Sequence, residues 1–339
     1  MVKIGVLGAG HLGKIHLRCL QATQGIFDLV GFCDPDPATA AEVEKAFGLS
    51  VFDTPEALME ACDAVDIVTP TTTHFDLAAA ALRADKHVFI EKPLTRTIEE
   101  AKTLINLAAA HPGLVIQVGH VERFNPALQA LEGMSLAPMF IEVHRLAPFN
   151  PRGTDVSVVL DLMIHDLDIV CSMVPYEAVD IHANGVAVVS QTPDICNARV
   201  TFANGCVANL TASRISLKQM RKMRLFQKDA YVSLDFLDKE AQVIRLYDQM
   251  PAGLPEDVIV MPLPTPQGEK FIRVDQPAAQ PVNAIQMELE TFGRSILQGL
   301  PPKVGIQDGY RALELAYRIL DRVSFSDAGH QASDAGPET

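Results

Sequence analysis

VKIGVLGAGHLG, residues 2–13, followed by KIHLRCLQA at 14–22, passes from a continuous apolar run to a helical pattern across three glycines. An apolar run of this kind reads as a strand buried on both faces, the condition of a parallel sheet. GAGHLG is a G-x-G-x-x-G turn lying between that strand and the helix after it. In this setting Gly8 permits the tight turn, Gly10 lets the backbone approach a pyrophosphate, and Gly13 lets helix and strand pack closely. The N–H groups of His11, Leu12 and Gly13 at the helix start are left for phosphate oxygens. Asp34 ends the next apolar run, LVGFCD, about twenty residues past the glycines. A carboxylate there accepts hydrogen bonds from ribose hydroxyls and repels a 2′-phosphate. The following PDPATA holds no Arg or Lys. The expected cofactor is therefore NAD rather than NADP.

Working outward, AVDIVTP, HVFIEKP and LVIQVGH read as three more strands, with helical stretches such as THFDLAAAALRA and TIEEAKTLINLAAA between them. That alternation predicts an α/β fold whose first domain, residues 1–122, is a parallel sheet covered on both faces. After about residue 122 the pattern changes. MFIEVHRL, VDIHANGVAVV, NARVTFA, CVANLTAS, MRLFQ, YVSLDF and AQVIRLY follow one another closely, which predicts a mostly antiparallel sheet in a second domain, 123–325. A Pro-rich stretch near 251–281 reads as irregular, NAIQMELETFGRSILQG and DGYRALELAYRILDRV as closing helices, and 326–339 as a disordered tail.

The formal net charge of −14 argues against nucleic acid or an anionic membrane as main partner. The six cysteines form no CxxC pair and read as buried thiols of a reducing compartment. No apolar run is long enough to span a bilayer and no leader-like segment precedes the first strand, so a cytoplasmic location is expected.

LDLMIHDLD at 160–168 sets ionisable groups into an apolar run. As a helix it places Asp161, His165 and Asp168 on one face. Three readings fit: a solvent-facing stripe, a metal site needing further ligands, or a histidine whose acid–base chemistry neighbouring carboxylates tune. EKP at 91–93 ends a strand of the first sheet, and ligands of open α/β sheets sit beyond the carboxyl ends of the strands. Lys92 is therefore placed to reach a substrate.

Taken in order, GAGHLG, Asp34, TPTTTH at 69–74, EKP, GHVERFNP at 119–126 and DLMIHD at 161–166 resemble the Gfo/Idh/MocA oxidoreductases along about 1–325. The resemblance implies a Rossmann domain followed by an α/β domain with a large open sheet, which commonly joins copies into dimers or tetramers. It also implies substrates among sugars, cyclitols and sugar nucleotides. By the same resemblance Lys92 contacts the reacting hydroxyl, and Asp161 and His165 form the D-x3-H pair with His165 as acid–base residue. Thr69, Pro70, Thr71, His74 and Glu91 lie along the cofactor, and Arg123 and Asn125 cross between the domains toward substrate. No resident metal is implied. One departure is LMI between Asp161 and His165, where many relatives carry a glycine.

Within the family, GHVERFNPAL and RLAPFNPRGTDVSVVLDLMIHDLDIV are most similar to the bacterial subgroup that oxidises the 3-hydroxyl of UDP-N-acetylglucosamine for lipid A diamino sugars, with an aminotransferase downstream. Such a substrate needs local cations for its two phosphates, and Arg123, Arg145, Arg152 and Arg214 are candidates. Competing expectations are a dehydrogenase of a free sugar, inositol or other polyol, a nicotinamide-binding sensor without turnover, and a metal-dependent hydrolase built on the Asp/His helix. The hydrolase leaves the glycine turn unexplained.

Overall fold

The computed structural model describes residues 1–150, 156–251, 253, 259–266 and 268–325. The tail at 326–339 and Arg152 lie outside the described residues. Five parallel strands, β1 (Val2–Leu7), β2 (Phe27–Cys33), β3 (Ala64–Ile67), β4 (His87–Glu91) and β5 (Ile116–Gly119), form a sheet in the order β2-β1-β3-β4-β5. Helices α1 (His11–Ala22), α2 (Pro37–Phe47), α3 (Pro55–Ala61), α4 (His74–Arg83) and α5 (Ile98–Ala109) connect them. Ile4, Val6, Val65, Ile67, Val88, Phe89 and Ile90 are fully buried, which is why these strands read as unbroken apolar runs. Local signals set the helix ends. Asp36 caps α2 with Pro37 in its first turn, and Thr97 and Glu100 close a capping box on α5.

The second sheet has ten strands: β6 (Phe140–Leu146), β7 (Ala178–Val186), β8 (Ile195–Phe202), β9 (Val207–Ser213), β10 (Met220–Phe226), β11 (Ala230–Asp235), β12 (Glu240–Tyr247), β13 (Val260–Thr265), β14 (Gly268–Asp275) and β15 (Val323–Phe325). Their order is β13-β14-β12-β11-β10-β6-β9-β8-β7-β15, antiparallel except at β6·β9 and β7·β15. One face packs on α7 (Ile164–Met173) and the short α6 (Pro126–Gln129) through Ile141, Val143, Ala198, Leu210, Met223 and Leu225. Glu142, His144, Asn197, Asn209, Arg224 and Phe226 alternate onto the other face.

Two elements depart from the sequence expectation. The Pro-rich stretch near 251–281 contains the hairpin β13–β14. Pro262 and Pro264 fit there because β13 is the edge strand, where missing N–H groups break no inner ladder. The closing helix α8 (Ala284–Gln298) returns to the first domain, while α9 (Ile306–Leu320) packs on both, with Leu315, Ala316 and Ile319 in the core of the second sheet. Leu289 and Phe292 enter the core beside β1 and α1, Val304 and Leu313 enter the one beside β5, and Val118 N–H donates to the Val304 carbonyl at 3.0 Å. The closing helices thus contribute to the cores of both sheets.

Candidate active site

The glycine turn carries out what its sequence demands. Gly8 has φ +95°, and a Cβ there would lie 2.9 Å from the Val68 carbonyl. A Cβ on Gly13 would lie 2.1 Å from the Gly8 carbonyl, so only glycine lets α1 meet β1 this closely. Gly10 is exposed and caps α1 without a side chain, and a Cβ on it would meet nothing within 4 Å. The N–H groups of His11, Leu12 and Gly13 at this start precede the first intrahelical bond, Lys14 N–H to Gly10, so the turn is an open phosphate cradle. Asp34 stands beside it, accepting from Ala9 N–H at 2.7 Å and Asp36 N–H at 2.9 Å. These contacts orient the carboxylate beyond the end of β2, where ribose hydroxyls belong. The residues present fit NAD.

Thr69, Pro70 and Thr71 form the loop after β3, next to Gly8. His74 does not line that surface: it is buried, with its ring nitrogens 2.9 Å from the carbonyls of Thr69 and Pro93. It therefore ties the β3 and β4 loops together from beneath. Glu91 also turns inward. Its carboxylate accepts from Lys92 N–H and stands 3.2 Å from His16, whose other nitrogen is 2.9 Å from Asp66. Burial opposes the charge on His16, but Asp66 and Glu91 outweigh it and raise its pKa well above the usual value.

Lys92, at the end of β4, points toward the second domain. Its Nζ donates to the Asp161 carbonyl at 2.8 Å and stands 3.6 Å from the Asp161 carboxylate. Asp161 lies in a π-helical turn, Val159–Met163, that leads into α7. Such turns are wider than α-helix and recur at functional sites. Here the wide turn stands where many relatives carry a glycine, and it offers a main-chain carbonyl to the lysine. His165 follows in the first turn of α7 and is partly exposed. Its Nδ1 is buried without a hydrogen-bond partner, which leaves Nε2 to meet a substrate. Burial first, then Lys92, Arg145, His120 and Arg221, push its pKa well below 6.5, so the ring is neutral and can accept a proton. Lys92, Asp161 and His165 thus converge beyond the carboxyl ends of the parallel strands.

The polar stripe on this helix is not a solvated face. Asp166 and Asp168 are 2 % and 1 % exposed, and each meets an arginine. Arg145 donates to both Asp166 oxygens at 2.8 Å and to Glu122 at 2.9 Å. Arg123 donates to Asp168 at 2.8 Å and lies 3.4 Å from Asp308. Arg214 is buried among Asp194 and the carbonyls of Val156 and Pro193. Asn125 caps α6 and donates to Glu122 and to the Phe236 carbonyl. Arg123, Arg145, Arg214 and Asn125, expected to meet substrate, are thus all engaged within the chain. These groups neutralise buried carboxylates and satisfy backbone carbonyls, because charges this deep need partners.

Arg221 escaped the sequence reading. It shares the inner face of β10 with buried Met223 and Leu225, opposite Arg145 in the ladder, yet its side chain is 44 % exposed. Its nearest ion partner is Glu122, at 3.5 Å. An exposed arginine on an otherwise buried strand face was the available signal.

Comparison with known proteins identifies the family of the chain. Residues 2–120 match the oxidoreductase family with NAD-binding Rossmann fold, and 143–231 match the GFO/IDH/MocA C-terminal domain. The UDP-N-acetylglucosamine 3-dehydrogenase of Acidithiobacillus ferrooxidans is 43 % identical over 71 % of this chain and 76 % of that protein. A solved structure of that enzyme, GnnA, superposes with TM-score 0.84 at 36 % identity, covering 95 % of this chain and 97 % of the other. The scyllo-inositol 2-dehydrogenase (NAD(+)) of Bacillus subtilis is 29 % identical over 63 % of this chain and 68 % of that protein. Scyllo-inositol dehydrogenase of Lactobacillus casei, solved with NAD(H) and scyllo-inositol, shares the fold at TM-score 0.74 and 22 % identity, over 95 % and 97 % of the two chains. With a glycine cradle for NAD, an EKP lysine and a D-x3-H helix meeting between a Rossmann sheet and an open sheet, the chain is an NAD-dependent dehydrogenase of the Gfo/Idh/MocA family.

Proposed function

We propose that the protein oxidises the 3-hydroxyl of UDP-N-acetylglucosamine to a 3-keto sugar. The observation that carries the chemistry is the meeting of Lys92 with the Asp161–His165 turn beyond β4. The similarity to the A. ferrooxidans enzyme carries the substrate. NAD bound at the glycine cradle supplies the hydride acceptor. His165 removes the hydroxyl proton while the carbinol hydrogen leaves as hydride. The Lys92 ammonium stabilises the oxygen as negative charge develops, and the Asp161 carbonyl and carboxylate hold that ammonium in place. Arg221 takes a diphosphate oxygen, since its fork is engaged only loosely by Glu122.

The test is turnover with NAD or NADP on UDP-N-acetylglucosamine, UDP-glucose, free N-acetylglucosamine and myo-inositol, with and without 2-oxoglutarate. Nicotinamide absorbance and product mass are the readouts. The expected result is a ketone from UDP-N-acetylglucosamine with NAD preferred, because the Asp34 carboxylate puts negative charge at the ribose site. Oxidation of myo-inositol alone would replace this substrate with a polyol. A 3-keto product is suited to an aminotransferase that installs nitrogen at that carbon.

The outer face of the ten-stranded sheet is proposed to pair with a second copy, giving a homodimer or homotetramer. Phe140, Phe226 and Tyr231 cluster there with ring centroids 5.0 and 5.9 Å apart. Light scattering of the purified protein should give a dimer or tetramer mass; a monomer at micromolar concentration removes this assembly. Among the described residues no helix is long and apolar enough to cross a membrane.

A further inference from the structure

Four buried polar atoms beneath the site have no hydrogen-bond partner: His165 Nδ1, both ring nitrogens of His120, and Asp168 Oδ1. Native interiors keep such atoms few, so a group of them in one region calls for an account. These four are neighbours. His120 ends β5 and is 1 % exposed. Its carbonyl accepts from Arg123 N–H, and the same Arg123 donates to Asp168, one turn beyond His165 on α7. Glu91 at the end of β4, Lys92 just after it, Arg123 and Asp168 of α7 all lie within electrostatic range of the His120 ring. Glu288 of α8 lies within electrostatic range of Asp168 and Glu91.

The reaction makes this arrangement necessary. When His165 accepts a proton it becomes a cation beside Lys92, Arg145 and Arg221, which is the least favourable place for one. Its Nδ1 is buried, and His120 lies within electrostatic range of the ring. We propose that His120 is a relay that carries the substrate proton from His165 to Asp168 across bridging waters, since none of the four atoms reaches another directly. The hydroxyl O–H bond breaks and its proton joins His165 Nε2. The proton on Nδ1 passes to one nitrogen of His120 while the other releases its own to Asp168 Oδ1. The electron pair of the O–H bond forms the C=O bond as the C–H pair departs with the hydride to NAD. Charge is balanced throughout: one proton has moved to a buried carboxylate, and it returns to solvent along the same chain after product leaves. A buried water between these groups is favoured because each end offers an unsatisfied donor or acceptor. His120 acts through His165 and is a positioning and relay residue.

This inference rests on His165 as the base of the proposed reaction. His120→Asn retains a polar side chain of smaller size but cannot pass a proton through two ring nitrogens. It should lower kcat at least tenfold with KM for the sugar nucleotide within twofold. The wild-type rate in mixed H2O/D2O should give a curved proton inventory that becomes linear in H120N. In cofactor-free protein, the ring 15N resonances of His165 should move in H120N, a readout independent of turnover. NAD binding and the thermal midpoint check that the variant is folded, and His120→Gln replaces it if it is not. A kcat within twofold of wild type, a linear wild-type inventory or unmoved His165 resonances would overturn the relay. If H165N is inactive while H120N is unimpaired, the base assignment stands and the relay alone fails. If H165N keeps full turnover, the proposed mechanism itself fails.

Discussion

Replacing His165 with Asn should lower kcat by about 10²–10⁴-fold, the range over which a positioned general base contributes, with NAD binding unchanged. Asn keeps the polarity of a partly exposed site and removes the proton acceptor. The pH dependence is the sharper test. His165 works as a base only when neutral. Burial and then the positive neighbours hold its pKa well below 6.5, so the acid limb of kcat/KM should lie below pH 6.5. Lys92→Met removes one of those neighbours while preserving much of the side-chain bulk. Its residual activity should show the acid limb moved to higher pH, because the imidazolium is then less disfavoured. The rate itself should fall by about 10²–10³-fold, as when a donor to a developing oxyanion is lost. Initial rates from pH 5 to 9 on the two variants and wild type check both statements. Full activity in H165N, or a K92M limb that stays in place, removes His165 from the base role or Lys92 from its electrostatic surroundings.

The fold was legible where the physical requirement is local. Gly8 and Gly13 are dictated within six residues by backbone approach, and β1, β3, β4 and β5 by continuous burial, so the Rossmann half follows from the string. The hairpin in the Pro-rich stretch was not legible, because proline excludes only interior strands and the text does not say which strand is the edge. The destination of α8 and α9 was hidden for another reason. An amphipathic helix announces that it will pack, without naming the sheet that receives it. The arginines were ambiguous in the sequence because phosphate binding and buried ion pairing use the same residue type. Arg145 and Arg123 belong to Asp166 and Asp168, a match visible only once β6 and the turn after β5 stand against α7. The acidic residues inside LDLMIHDLD did hold the clue: carboxylates in a buried helix face require cations of their own.

Arg145→Met should cost about 3–5 kcal/mol of folding stability, the loss expected when one partner of a buried ion pair is removed and the other stays charged. Arg145 is 3 % exposed and joins β6 to Asp166 on α7 and to Glu122 in the turn after β5. Methionine fills much of the space and leaves both carboxylates without their main counter-charge. Burial raises the pKa of Asp166, and Arg145 is what opposes that rise. Without it the Asp166 pKa climbs further above its unfolded value. Stability of the variant is then greatest below the unfolded carboxylate pKa and falls as pH rises through the elevated one. The gap between wild type and R145M should therefore widen from about pH 4 to pH 7. Urea unfolding at several pH values reads this as a shift in midpoint at constant slope. A loss under about 1 kcal/mol at pH 7, or a gap independent of pH, contradicts the buried-pair account. The triple variant E122Q/R145M/D166N, which removes the charges together, should recover part of the loss, since it is the unpaired charge that is expensive. Activity adds a second consequence. Arg145 is one of the charges that keep His165 neutral, so folded R145M should show an acid limb at higher pH, in the same direction as K92M. The internal ion pair that holds α7 against the large sheet thereby also contributes to the low proton affinity of His165, the proposed base on α7.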